Sequence, residues 1–131
     1  MREIKFRGKR IDNDKWVYGY LFYSFDCIDR YAPFITWKDD SYLGGTGEEQ
    51  VEQESIGQYT GLKDKNGVEI YEGDIVYVIS EDENGFILWV EETARYIVQF
   101  KEWCADFDNY YGKDLEVIGN IYENKELLEG E

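Results

Sequence analysis

Tyr59-Thr60-Gly61-Leu62-Lys63-Asp64-Lys65-Asn66-Gly67-Val68-Glu69-Ile70-Tyr71-Glu72-Gly73-Asp74-Ile75-Val76-Tyr77-Val78-Ile79 is the stretch from which the fold is read. Asn-Gly favours positive φ at both central positions of a tight hairpin turn. Lys65-Asn66-Gly67 therefore predicts a turn between strands at Tyr59–Leu62 and Val68–Tyr71. Gly73-Asp74 predicts a second turn. Ile75 to Ile79 is an almost unbroken β run of the kind buried on both faces.

Working outward, Glu81 to Gly85 is a third turn, and Phe86–Val90 and Tyr96–Phe100 are strands flanking Glu91-Glu92-Thr93. Leu115–Tyr122 is a last strand, and Asn124 is placed to cap a short helical turn at Lys125–Leu128. Trp103–Tyr111 is aromatic but acidic, and no pattern assigns it a state. Upstream, residues 2–7 alternate polar with apolar and read as a half-buried strand. Gly8 to Lys15 is turn sequence. Trp16–Tyr23 is a strand with Gly19 as a bulge or close-approach point. Tyr31–Trp37 is another, and Pro33, the only proline, suggests an edge or irregular entry. Residues 39–55, rich in Gly and Glu, read as an exposed loop, with Glu48 to Glu54 able to form a helical turn that has no apolar face. Short strands between frequent turns indicate an all-β small barrel or sandwich. Two parts are expected: residues 1–54, a β lobe ending in the acidic Gly-rich loop and offering an oligomerisation surface, and residues 55–131, a β-barrel with a short C-terminal helical turn.

The run from Ser55 through Gly57-Gln58-Tyr59-Thr60-Gly61 and Asp64-Lys65-Asn66-Gly67 to Gly73-Asp74-Ile75-Val76 closely resembles the YopX family of phage and prophage proteins. Ile4-Lys5-Phe6-Arg7-Gly8-Lys9 with Trp16-Val17-Tyr18-Gly19 resembles that family's opening, and Glu116-Val117-Ile118-Gly119-Asn120-Ile121-Tyr122-Glu123-Asn124 its close. Residues 24–54 and 101–114 carry no part of the likeness. The resemblance implies an all-β fold with an SH3-like barrel in the C-terminal part. It also implies a phage or prophage origin, a cytoplasmic life in a bacterial host, and homo-oligomers. It implies no particular activity.

Composition narrows function further. The 131 residues carry a net charge of −15 and no histidine. Ser-His-Asp and Cys-His machinery and His-liganded metal sites are therefore excluded. Broad capture of nucleic acid is disfavoured, because phosphate binding needs a basic face. No apolar run is long enough to cross a membrane as a helix, and the charged N-terminus is unlike a secretory signal. Cys27 and Cys104 read as reduced, inert thiols. The charge is uneven: residues 1–40 hold eight basic and seven acidic groups, whereas residues 41–131 hold six and 22. The basic tip, Arg2 to Arg10, suits an acidic surface better than phosphate.

No catalytic residue, cofactor site or metal site is expected. Counted as an EF-hand from Asp64, glycine falls at the fourth position and Ile75 at the twelfth, so the calcium pattern fails. Carboxylate pairs are too numerous to mean anything singly. Gly57, Gln58, Tyr59, Thr60 and Gly61 are candidates for a binding loop, with Tyr59 stacking on a ligand and Gln58 and Thr60 hydrogen bonding. Their structural reading, close backbone approach through glycine, is favoured. Trp16, Tyr18 and Tyr20 are candidates for an interface. With 4 Trp, 12 Tyr and 7 Phe, rings including some of Tyr18, Tyr20, Tyr23, Tyr42, Tyr110 and Tyr111 must stay in water. Three functions compete. The first is a non-enzymatic protein-interaction module, with itself or a host or phage protein as partner. The second is an acidic DNA mimic that blocks a host DNA-binding protein. The third, least favoured, is a carboxylate- and metal-dependent hydrolase.

Overall fold

The computed structural model describes residues 3–26, 30–38 and 46–129. It is all-β. The strands are β1 (Phe6–Lys9), β2 (Trp16–Asp26), β3 (Arg30–Lys38), β4 (Thr46–Gln50), β5 (Gly57–Lys63), β6 (Glu69–Tyr71), β7 (Asp74–Val78), β8 (Glu83–Val90), β9 (Arg95–Gln99), β10 (Cys104–Asp106) and β11 (Leu115–Asn120), with short 3-10 turns between some of them. The chain forms two compact units, residues 1–59 and 60–131.

In the first unit the strand order is β4-β3-β2-β1-β5, all antiparallel. Gly19 sits on β2 where an added Cβ would drive into the Thr36 carbonyl oxygen. The expected close approach is therefore real, and it lets β3 coil tightly over β2. Ile35 and Val51 are sealed from water in this unit. An isolated bridge, Arg10↔Val51, ties the chain after β4 to the end of β1, supported by Ile11 N–H donating to Gln50 O and Glu52 N–H to Lys9 O.

Several expectations are corrected here. Residues 46–50 are not a loop or a helical turn but β4. Their side chains carry no apolar alternation; the strand is held by its ladder to β3 and by buried Val51 just beyond it. Residues 39–45 lie outside the described residues. The first strand starts at Phe6 rather than residue 2 and takes in Gly8 and Lys9, because its register is set by β2 on one side and β5 on the other. Pro33 lies within β3 where the β4 ladder ends, so its missing N–H breaks no named pair.

In the second unit β6 returns beside the end of β5 across the expected Asn-Gly turn. Gly67 has φ +81°, but Asn66 does not share the positive φ expected of it, because the loop closed by Asp64 N–H on Val68 O holds three residues and not two. A five-stranded antiparallel sheet follows, in the order β10-β9-β8-β7-β11. Its core is Ile70, Val76, Val78, Ile87, Val98, Phe100, Phe107 and Leu115. Neither strand order returns on itself among the described residues, so both sheets are open. Trp103–Tyr111 resolves into β10 and a 3-10 turn at Phe107–Asn109. Asn124 does not cap the C-terminal 3-10 turn with its side chain. Its Oδ1 instead accepts the Asn120 N–H at 3.1 Å, because Asn120 and Asn124 lie across the tight turn that ends β11.

Candidate functional surface

The motif Gly57 to Gly61 lies entirely within β5, not in a loop. Gly57 and Gln58 are laddered to Arg7 and Phe6 of β1. Tyr59 donates its N–H to Lys5 O and is only 5% exposed, with the Lys5 ammonium 5.7 Å from its ring centre. Thr60 turns its hydroxyl to Ile70 O. Gly61 is the outlier, at φ +93° and exposed.

Trp16, Tyr18 and Tyr20 lie on β2, on the other side of β1 from β5. Trp16 is half-buried and sits beneath the Arg7 guanidinium, 4.5 Å from the ring centre, with the Lys9 ammonium at 6.0 Å. Such stacking on an aromatic face is attractive in itself, and it places the first strand's basic groups against rings of the same unit. Tyr18 and Tyr20 are 46% and 62% exposed.

Among the described residues, a further group of exposed rings lies along β2 and across on β3. Tyr23, Phe25 and Tyr31 are 48%, 56% and 69% exposed, and Tyr23↔Pro33 and Phe25↔Tyr31 are ladder partners. Phe25 and Tyr31 pack edge to face at 5.3 Å, while Phe22 and Phe34 stack at 5.5 Å. Their exposure follows from strand length. β1 covers only Trp16 to Gly19 of β2, and β4 covers only Phe34 to Lys38 of β3, so the rest is a two-stranded overhang. Sequence reasoning singled out Tyr18, Tyr20 and Tyr23 but not Phe25 and Tyr31. Their signal was the absence of any charged residue from Trp16 to Phe25 and from Tyr31 to Trp37. Tyr42 and Cys27 lie outside the described residues.

The acidic groups of the second unit are largely engaged with local donors. Asp64 accepts the amides of Asn66, Val68 and Val117. Asp74 accepts Tyr71 N–H, and Asp114 accepts both the amide and the hydroxyl of Ser80. Tyr77 donates to Asp82 and Tyr110 to Glu81. Burial first, and then that bond to Glu81, push the Tyr110 phenol up to about 12. Among the described residues no three acids or cysteines are grouped to hold a metal ion. Cys104 is an exposed free thiol on β10.

No curated protein matches the sequence. Among solved structures, one titled as the crystal structure of protein EF1440 from Enterococcus faecalis is similar, at 27% identity and a TM-score of 0.59, over 98% of this chain and 99% of that one. The model of the family described as YopX protein matches residues 5–129, so the chain belongs to the YopX family.

Proposed function

We propose that this chain is a non-enzymatic protein-interaction module that self-associates, encoded by a phage or prophage and working in the cytoplasm of a bacterial host. The observation that carries the reading is the uncharged aromatic overhang of β2 and β3, where Tyr23, Phe25 and Tyr31 share one face and are each about half exposed or more. Monomeric proteins rarely keep a large contiguous apolar patch in water, and aromatic residues are enriched in interface cores. In a chain of net charge −15, an uncharged contact face sets no like charges directly against each other. An SH3-like wrapping of the second unit belongs to the same proposal; the register shift between Val117 and Gly119 in β11 is the kind of irregularity that bends a sheet.

Size-exclusion chromatography with light scattering tests the reading. It expects a mass above the 15.5 kDa protomer that falls on dilution; a monomer at millimolar concentration would overturn it. The DNA-mimic reading is the runner-up, on the acidity of residues 41–131. A mimic needs carboxylates free to meet a basic cleft, whereas Asp64 has both oxygens on amides of its own unit and Asp114 has both on Ser80. A pull-down from host lysate separates the two, since a mimic returns a DNA-binding protein.

A further inference from the structure

We propose that β2 pairs through its free edge, from Leu21 to Phe25, with the same edge of a second copy, so that two first-unit sheets continue into one antiparallel sheet. This rests on the self-association proposed above and names the edge that carries it.

The edge is open by register. β1 ends its pairing at Gly19, while β2 continues to Asp26, and no other described strand pairs with β2 on that side. Arg10 N–H donates to Lys15 O across β1 and β2. Backbone groups alternate along a strand, so Lys15, Val17 and Gly19 face β1, and Leu21, Tyr23 and Phe25 present their N–H and C=O groups to the open side.

The edge is also unguarded. Proteins protect exposed strand edges with charge, shortness or a bulge. Of the other edge strands, β4 carries Glu48 at its centre, so a two-fold pairing of β4 would set Glu48 against Glu48, and like charges directly opposite are unfavourable. β6 and β10 are three residues long, and β11 carries Glu116 and a register shift between Val117 and Gly119. β2 has none of these protections, for no charged residue occurs between Trp16 and Phe25.

The occupant follows from charge and symmetry. A two-fold axis at Tyr23 places Tyr23 opposite itself and Leu21 opposite Phe25 of the second copy, with each of these residues exchanging hydrogen bonds and no charge meeting a charge. A basic or acidic strand would find nothing on this edge to pair with. Tyr23, Phe25 and Tyr31, which share one face, leave on the order of 300 Å² of aromatic surface per copy. With the edge backbone added, that suits a small interface, below the ~800 Å² a side of a standard one. Phe25 and Tyr31, packed edge to face, lie on the same face as Tyr23 and would extend the contact.

The test uses the full chain. Hydrogen exchange read by mass spectrometry, at concentrations above and below the association midpoint, should show residues 20–26 protected only in the associated form. Tyr23→Lys should weaken association at least tenfold by light scattering while leaving the circular dichroism unchanged. Phe25→Lys, one pair further out, serves if Tyr23→Lys does not fold. If the wild type associates but both variants associate equally well, or residues 20–26 exchange alike at both concentrations, the edge assignment falls and self-association stands. A wild type that stays monomeric at millimolar concentration overturns both.

Discussion

One oxygen of the Asp64 carboxylate accepts the Val117 amide at 2.8 Å, joining the hairpin turn after β5 to a strand 53 residues further along the chain. Its other oxygen accepts Asn66 N–H at 2.8 Å and Val68 N–H at 2.9 Å. Asp64 is 6% exposed. Burial opposes its charge, but the amides of Val117, Val68 and Asn66 and the nearby Lys65 outweigh that cost and hold the carboxyl below its ordinary range. The Asp-Lys-Asn-Gly segment is therefore a structural clamp whose reach is non-local.

Asp64→Asn should destabilise the second unit by about 1–3 kcal/mol, because an amide NH₂ would confront either the Val117 N–H or the turn amides and leave a buried donor unsatisfied. Urea unfolding monitored by tryptophan fluorescence measures it. The pH dependence has a definite sign. The folded pKa is depressed, so the contribution is complete above the ordinary carboxylate value of 3.8 and is lost as pH falls through the folded value. The gap between wild type and Asp64→Asn should therefore close on acidification below pH 3.8.

Gly73→Ala should cost more than Gly61→Ala, although both glycines have φ +93°. Each substitution strains the left-handed backbone by about 1–2 kcal/mol. At Gly61 the new methyl meets nothing within 4 Å, whereas at Gly73 it comes within 2.9 Å of the Tyr122 ring. Thermal denaturation of the two variants gives the difference directly, and Tyr122→Ala combined with Gly73→Ala should recover the steric part alone.

The turns were legible because their chemistry is local. Lys65-Asn66-Gly67 and Gly73-Asp74 need only their own residues to specify a turn, and both turns stand where the sequence places them, although positive φ falls on Gly67 and Gly73 and not on Asn66. β4 was not legible, because Thr46-Gly47-Glu48-Glu49-Gln50 bears no apolar alternation and owes its conformation to the β3 ladder. Asn124 reads as a helix cap by type, yet its oxygen is claimed by Asn120, whose position depends on the end of β11. Tyr59, in the most distinctive motif, is buried, while Phe25 and Tyr31, in an undistinguished stretch, are exposed. Which rings stay in water depends on how far β2 and β3 outrun their neighbours, and relative strand length is a property of the assembled sheet.

Gly19→Ala should destabilise the first unit severely, by about 3 kcal/mol or more, since the methyl would overlap the Thr36 carbonyl oxygen and backbone cannot yield as a side chain does. Thr36→Ala should not rescue it, because the obstructing atom belongs to the main chain. Loss of the first unit's transition in circular dichroism melts checks the first statement, and the double variant checks the second.

Tyr110 should ionise late for a tyrosine. Its phenol is partly buried against Glu81, with Asp114 and Glu83 adding to the negative field, and its pKa is raised from 10.0 to about 12. A folded pKa raised above the unfolded one stabilises the neutral form, so its contribution is present below pH 10 and lost between pH 10 and 12. Tyrosinate absorbance should show a late ionisation step that Tyr110→Phe removes.

Association should strengthen with salt, which separates an uncharged contact face from a charged one. Two copies of charge −15 repel at any approach, and the Debye length shortens from roughly 30 Å at 0.01 M to about 10 Å at 0.1 M and about 3 Å at 1 M. Screening removes that repulsion, but the contact of Tyr23, Phe25 and Tyr31 contains no ion pair for it to weaken. The association constant should therefore rise at least tenfold between 0.01 and 0.5 M sodium chloride, read by sedimentation equilibrium. If the basic tip, Lys5 to Arg10, instead held the acidic surface of a neighbour, the same titration would run the other way, and association would fall as salt rose.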